Sequence, residues 1–136
     1  MNDAEIRRSV FDVALTTGRI PAREEIGCSQ EDLERLADAH VLVLQETGEI
    51  LMAMPFSAVP TTFVVRSGDY AAWGNCVWDA LGILAMKDVD GVVEAACGCC
   101  GTAMPLRVRR RQLLDTGGVV HYGVAAKQWW DDIVFT

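Results

Sequence analysis

The sequence predicts an α+β fold, with a helical front half followed by a second half rich in short strands. Apolar residues recur at helical spacing before residue 40, whereas β-prone stretches separated by glycine-containing turns follow residue 60. Apolar residues make up 51% of the 136 positions, enough for a folded core and too many for a disordered chain. Helices and strands in separate runs are typical of the α+β class.

Three helices are predicted in the front half. Asn2 or Asp3 can cap the first, and Gly18 ends it. Its apolar positions are Ile6, Val10, Val13 and Ala14. A short helix is expected from Pro21 to Gly27. The third begins at Ser29 with a capping box that has Asp32 in place of the usual Glu. It should bury Leu33, Leu36, Ala37 and His40.

Strands at 41–44 and 50–53 around the turn 46–49 complete a winged-helix-like outline. The third helix is acidic, with one arginine, Arg35, against four carboxylates. These are Glu31, Asp32, Glu34 and Asp38. The whole chain has a net charge of −7. Because phosphate contacts need a basic face, this outline indicates packing and no nucleic-acid binding.

The second half is predicted to hold the sheet and one functional helix. Residues 61–66 are β-prone, the segment 73–81 carries Cys76 and Asp79, and further strands are expected at 92–96, 104–108 and 119–124. The basic run Arg109–Arg111 is expected at a solvated strand end. The chain is accordingly divided into a helical lobe, 1–60, and a core, 61–136.

The expected location is the cytoplasm, without membrane contact. No apolar run approaches the roughly 18 residues of a membrane span, and the first residues lack a signal-peptide pattern. In that compartment five cysteines are expected to be thiols or metal ligands.

Cys76 and Asp79 are the main candidates for chemistry. Three residues apart, they share one helix face, so a soft thiolate ligand and a proton-donating carboxyl group could meet one substrate. Cys76 is expected to gain thiolate character from the helix N-terminus. The alternative is a small buried cysteine beside a solvated aspartate.

A second thiol cluster lies at Cys97, Cys99 and Cys100, among glycines. It contains a single C-x-x-C pair, which is a weak metal or redox motif, and a turn that merely needs small residues is the alternative. His40 and His121 are expected in the core or in a strand. The four tryptophans are expected mainly in the core. A functional role in addition would be to form an apolar pocket wall around Cys76, which would desolvate Asp79 and raise its pKa.

The segment Asn75-Cys76-Val77-Trp78-Asp79-Ala80-Leu81 resembles the active-site segment of the organomercurial (alkylmercury) lyases. Three further stretches resemble the same family in order: 53–61, 94–97 continuing to 106–108, and 129–132. The resemblance implies a winged-helix-like lobe on a mixed or antiparallel sheet core that carries the active-site helix. It also implies cleavage of a carbon–mercury bond to a hydrocarbon and mercuric ion, without a cofactor, with external thiols as co-reductant or acceptor.

By this resemblance Cys76 binds mercury, Asp79 protonates the carbon, and Cys97 is structural. The second catalytic cysteine of the family falls near the C-terminus, where the printed sequence reads Phe135-Thr136. We therefore expect mercurial binding with weak turnover, and a gain in turnover from Thr136→Cys. The second mercury ligand stays open among Cys97, Cys99 and Cys100, with Cys76, Cys99 and Cys100 as the predicted metal set.

The sequence thus predicts an organomercurial-lyase-like protein whose partner is a small organomercurial or a soft metal ion. Two alternatives stay open. One is a non-catalytic homologue that binds mercury, copper or zinc through Cys76 and the cysteine turn. The other is a related enzyme that uses the same cysteine and aspartate on a substrate without mercury.

Overall fold

The helical front of the molecule follows the predicted caps closely. The structure is a computed structural model that describes residues 1–134. Its first three helices are α1 (Asp3–Thr17), α2 (Arg23–Ile26) and α3 (Gln30–Asp38). Asn2 and Glu5 form a capping box at the start of α1, and Ser29 and Asp32 form the predicted one at the start of α3. Helix α2 begins two residues after Pro21 and ends at Gly27, as predicted.

Gly18 ends α1 in the left-handed conformation, with φ of 81°. A Cβ at this position would lie 1.7 Å from the carbonyl oxygen of Ala71, so a side chain is excluded by space as well as by φ. The glycine therefore ends the helix and lets it approach the strand that contains Ala71.

A three-stranded antiparallel sheet follows α3, in the order β1-β2-β3. Its strands are β1 (Val43–Leu44), β2 (Ile50–Ala53) and β3 (Phe56–Ser57). The first core lies between this sheet and the three helices. Its buried residues are Ile6, Val10, Ile26, Cys28, Leu33, Leu36, Leu42, Ile50 and Ala53. Helical periodicity predicted Ile6, Val10, Leu33 and Leu36, and the two predicted strand segments contain Leu42, Ile50 and Ala53. Ile26 and Cys28 were not among the predicted core positions.

The second half forms a five-stranded sheet in the order β5-β4-β6-β7-β8, with one helix packed on it. The elements are β4 (Val64–Ser67), β5 (Tyr70–Trp73), α4 (Val77–Lys87), β6 (Gly91–Glu94), β7 (Leu106–Arg109) and β8 (Gln112–Leu113). All strand pairs among the described residues are antiparallel, which agrees with the expected mixed or antiparallel sheet core that carries the active-site helix. The α+β class is confirmed.

The second core lies between α4 and this sheet, and it adjoins the first. Its buried residues are Ala14, Phe56, Val65, Ala72, Ala80, Ile83, Leu84 and Val93. Phe11 and Ile20 pack against both cores. The Tyr70 hydroxyl also donates to the carbonyl of Ala14 at 2.8 Å, which ties β5 to α1. The division into lobes at residue 60 stays a prediction.

Three expectations about the second half and its aromatic residues were wrong. Residues 119–124 form no strand, and Val119 is 94% exposed. His40 and His121 are both exposed, and His40 stacks on Trp130 with ring centroids 4.1 Å apart. None of the four tryptophans is buried. Apolar composition alone suggested burial, but Trp78 and Trp130 are exposed and Trp73 and Trp129 are half-buried.

No helix within residues 1–134 combines the length and the apolar character that crossing a membrane requires.

Candidate functional site

The candidate site begins where β5 passes into α4, at Gly74 and Asn75. A Cβ on Gly74 would lie 2.7 Å from the main-chain nitrogen of Ala80. Only glycine therefore allows the end of the strand to pass this close to the first turn of the helix. The Gly74 carbonyl also accepts a hydrogen bond from the Thr61 hydroxyl at 2.6 Å, and these contacts fix the backbone that leads to Cys76.

Cys76 is the N-cap residue of α4. Its sulfur accepts a hydrogen bond from the main-chain N–H of Asp79 at 3.4 Å, in the position that a serine or aspartate oxygen usually takes. Both side chains are half-buried. The cap therefore holds the sulfur and the carboxyl group on one turn of the helix, as the spacing predicted.

The expectation that Cys76 gains thiolate character was wrong in its net direction. Burial raises the pKa of the Cys76 thiol, and the negative charge of Asp79 and a hydrogen bond to that carboxylate raise it further. The main-chain N–H groups of Asp79 and Trp78 lower the pKa, as a helix N-terminus should, but they do not outweigh burial. Cys76 thus keeps its proton more firmly than an ordinary cysteine.

Asp79 behaves as predicted. Burial raises the pKa of its carboxyl group above the ordinary value. Hydrogen bonds from the side chains of Asn75 and Cys76 partly offset this shift, because they stabilise the carboxylate. A raised pKa favours the protonated form that a proton donor needs.

Asn75 connects this turn to the preceding loop. Its Nδ2 donates to the carbonyl of Phe56 at 3.1 Å, and its main-chain N–H donates to the carbonyl of Pro55 at 3.3 Å. The Asn75 Oδ1 is buried and has no hydrogen-bond partner among the described residues. This anchoring role could not be predicted from the sequence, since asparagine before a helix suggests only a cap or a turn.

Tyr122 is a site neighbour that the sequence analysis missed. Burial raises the pKa of its phenol, and the charges of Cys76 and Asp79 raise it further, so the phenol lies within electrostatic range of both groups. Tyr122 also packs on Trp129, with ring centroids 5.1 Å apart. Residues 119–124 were predicted as a strand, so no signal in the sequence indicated that this segment returns to Cys76.

The cysteine turn lies at the same end of the sheet as Cys76. Val64 of β4 pairs with Trp73, the last residue of β5, and with Glu94, the last residue of β6. The chain leaves β5 towards Cys76 and β6 towards Cys97, so both lie beyond this shared end, which we call the Val64 end. Cys97 is half-buried, whereas Cys99 and Cys100 are exposed.

Within residues 1–134, no group of three or more histidine, cysteine, aspartate or glutamate side chains is placed to hold a metal ion. The proposed set of Cys76, Cys99 and Cys100 therefore stays a prediction. Thr136, beside which the resemblance places the second catalytic cysteine of the family, lies outside the described residues.

Trp78 does not wall the Cys76 site. It is 64% exposed and lines a groove of about 950 Å³ between α4 and strands β7 and β8. Neither Cys76 nor Asp79 lines this groove. The aromatic neighbours of the site come instead from Tyr122 and, packed on it, Trp129.

Comparisons with known proteins agree with this architecture. The family model described as alkylmercury lyase matches residues 56–136. Among solved structures, the crystal structure of the mercury-bound form of MerB2 is similar, with a TM-score of 0.60 and 19% sequence identity. The similarity covers 80% of this chain and 58% of that chain, so the sequence spans under two thirds of that protein's length. No curated protein matches the chain.

Proposed function

Because this chain belongs to the alkylmercury lyase family, we propose that it cleaves the carbon–mercury bond of small organomercurials by protonolysis. The products would be a hydrocarbon and mercuric ion. Cys76 would bind the mercury atom and Asp79 would deliver the proton. Mercury enters as substrate and leaves as product, and no cofactor takes part.

One observation carries the proposal: the Cys76 sulfur caps α4 by accepting a 3.4 Å hydrogen bond from the main-chain N–H of Asp79, so the sulfur and the Asp79 carboxyl group lie at the same helix start. Protonolysis needs a soft ligand on the metal and a proton donor beside the carbon that leaves it. A half-buried carboxyl group with a raised pKa fits the second role. A thiol that hydrogen-bonds to this carboxylate fits the first.

The proposed reaction begins with the transfer of the Cys76 proton to the Asp79 carboxylate. The sulfur lone pair then forms a bond to mercury and displaces the small thiolate that carried the alkylmercury. In the second step the carbon–mercury bond breaks with its electron pair on carbon, and the Asp79 proton moves to that carbon. Mercury stays divalent throughout, so no oxidant or reductant is consumed.

A second thiolate on mercury would assist the second step, because added electron density on the metal weakens its bond to carbon. Cys97, Cys99 and Cys100 lie beyond the same Val64 end of the sheet and are the candidates within the described residues. A small external thiol could occupy this position and later remove the mercuric ion.

The deciding experiment is hydrocarbon release from methylmercury with excess small thiol, measured as methane by gas chromatography. We expect release by the chain and loss of release in Cys76→Ser and Asp79→Asn. Cys28→Ala, at a buried cysteine of the first core that belongs to neither thiol group, is the matched control for the loss of one thiol. Methane release that is equal in all four proteins would refute the assignment.

A second function, sequestration of mercury without turnover, is favoured by one observation. The raised pKa of Cys76 limits the thiolate fraction available for attack at neutral pH. In that case methylmercury would bind to Cys76 stoichiometrically and no methane would appear. The same assay, combined with mercury quantification on the protein, separates the two functions.

A further inference from the structure

The turn that holds Cys97, Cys99 and Cys100 is closed by its own main chain. The Cys97 N–H donates to the carbonyl of Thr102 at 2.8 Å, and the Gly101 N–H donates to the carbonyl of Cys97 at 2.8 Å. Ala96 and Ala103 form an isolated antiparallel bridge beneath it. The backbone that carries the thiols is therefore fixed before any ligand binds.

Cys97 and Cys100 are the first and fourth residues of the turn that the Gly101 N–H closes on the Cys97 carbonyl, so their side chains start from one turn of the backbone. The Cys100 sulfur lies 3.1 Å from the Thr102 hydroxyl. Hydrogen bonds from Thr102, from its side chain first, and then from the Cys97 side chain lower the pKa of Cys100. Cys100 is exposed to solvent and Cys97 is half-buried.

We propose that Cys97 and Cys100 form a second soft-metal site, in which two thiolates hold one two-coordinate cation such as mercuric ion. Binding forms two sulfur–mercury bonds and releases the two thiol protons to solvent, so no redox partner is needed. The site is separate from Cys76 and does not depend on carbon–mercury cleavage.

The proposed site offers two thiolate donors, which favours a two-coordinate soft cation over zinc. A structural zinc site takes four ligands, and no group of three or more suitable side chains exists in the described part of the chain. Two thiolates alone satisfy a soft ion that accepts two ligands. Holding both on one rigid turn makes the second bond intramolecular, which strengthens binding over a single thiolate on the order of a hundredfold.

The position of the Cys97–Cys100 site suggests that it captures mercuric ion released at Cys76. Both this turn and Cys76 lie beyond the Val64 end of the sheet. Mercuric ion released at Cys76 would meet a dithiol at the same end of the molecule. This use rests on the proposed function, whereas the metal site itself does not.

The test uses Cys76→Ser as the background, so that mercury at the first site does not contribute. The reduced protein receives one equivalent of mercuric chloride without oxygen, then excess glutathione as a single-thiol competitor. Retained mercury is counted by native mass spectrometry. We expect one ion per chain in the background protein and in the added control Cys28→Ala, which removes a buried thiol of the first core. Adding Cys100→Ser to the Cys76→Ser background should reduce the mercury retained after glutathione about tenfold or more. The thiolate of Cys97 alone would then compete with glutathione without the gain from a second bond.

Cys100 is exposed, so its replacement should not impair folding, and this variant decides the outcome. Cys97→Ser should give the same loss. Zinc chloride in place of mercuric chloride should leave no bound metal after the competitor. Equal mercury retention with and without Cys100, or zinc retained as firmly as mercury, would overturn the proposal.

Discussion

The Cys76 sulfur accepts a hydrogen bond from the main-chain N–H of Asp79 at 3.4 Å, and the Cys76 thiol in turn donates a hydrogen bond to the Asp79 carboxylate. The pKa values of both groups are raised, chiefly by burial. A proton is therefore retained between sulfur and carboxylate in the resting site. In the proposed reaction mercury displaces this proton from sulfur, and the carboxylate can pass it to carbon.

The first prediction separates binding from protonation. Cys76→Ser should abolish mercurial binding at this site, because a hydroxyl is a poor ligand for a soft metal. Asp79→Asn should retain binding and lose hydrocarbon release, since an amide cannot donate an acidic proton. A stoichiometric titration with methylmercury checks the first part. Equal binding by wild type and Cys76→Ser would contradict the assignment.

The second prediction concerns how the rate of Cys76 alkylation depends on pH. Its pKa is raised, so alkylation by iodoacetamide should be slow at neutral pH and should accelerate as pH rises through that pKa. Asp79→Asn removes a negative charge and a thiol acceptor that both raise this pKa. The alkylation profile of Asp79→Asn should therefore move to lower pH. Mass spectrometry of the Cys76 peptide reports this thiol alone, and an unmoved profile would show that Asp79 does not act on it.

The helix ends could be predicted from sequence because their signals are local. Asn2, Gly18, Ser29 and Gly27 each act within a few residues, through capping or a left-handed φ. The Cys76–Asp79 pair could be predicted for the same reason, since both lie on one helical turn. The helical positions Ile6, Val10, Leu33 and Leu36 of the front core followed from periodicity in the same way.

The surroundings of the site could not be predicted, because they depend on segments distant in sequence. Tyr122 interacts electrostatically with Cys76 across more than forty residues of sequence. Cys76 and Cys97 lie beyond the same end of the sheet only because Val64 pairs with both β5 and β6. The net pKa of Cys76 also depends on burial. The helix N-terminus lowers it, but the sequence does not reveal how deeply the thiol is buried.

The third prediction concerns the close approach at Gly74. Gly74→Ala places a Cβ 2.7 Å from the Ala80 nitrogen, so the first turn of α4 must shift. We expect a loss of about 1–3 kcal/mol in the free energy of unfolding, measured by urea denaturation. Gly117→Ala is the control, since a Cβ there meets no atom within 4 Å, and it should change stability by less than about 0.5 kcal/mol. Equal stability of the two variants would show that the turn tolerates the displacement.

The fourth prediction is that the winged-helix-like lobe does not bind duplex DNA in a salt-dependent manner. Helix α3 presents mainly carboxylates, and its arginine, Arg35, pairs with Asp3 and Asp32. The net charge of −7 opposes approach to phosphates. Fluorescence anisotropy with a labelled duplex at low and moderate salt checks this. A salt-dependent dissociation constant below about 1 μM, tighter than typical non-specific binding, would contradict it.

The last prediction concerns a second thiolate on mercury. The family resemblance places a second catalytic cysteine beside Phe135-Thr136, a position outside the described residues. Thr136→Cys should raise methane release from methylmercury, because two thiolates sharing the metal stabilise the transition state in which carbon takes the electron pair. Thr136→Ser is the control and should leave the rate unchanged. If the unaltered chain already turns over rapidly, another sulfur completes the site, and Cys99→Ser and Cys100→Ser should show which one. Unchanged methane release by Thr136→Cys, with methylmercury still bound to Cys76, would instead favour sequestration over catalysis.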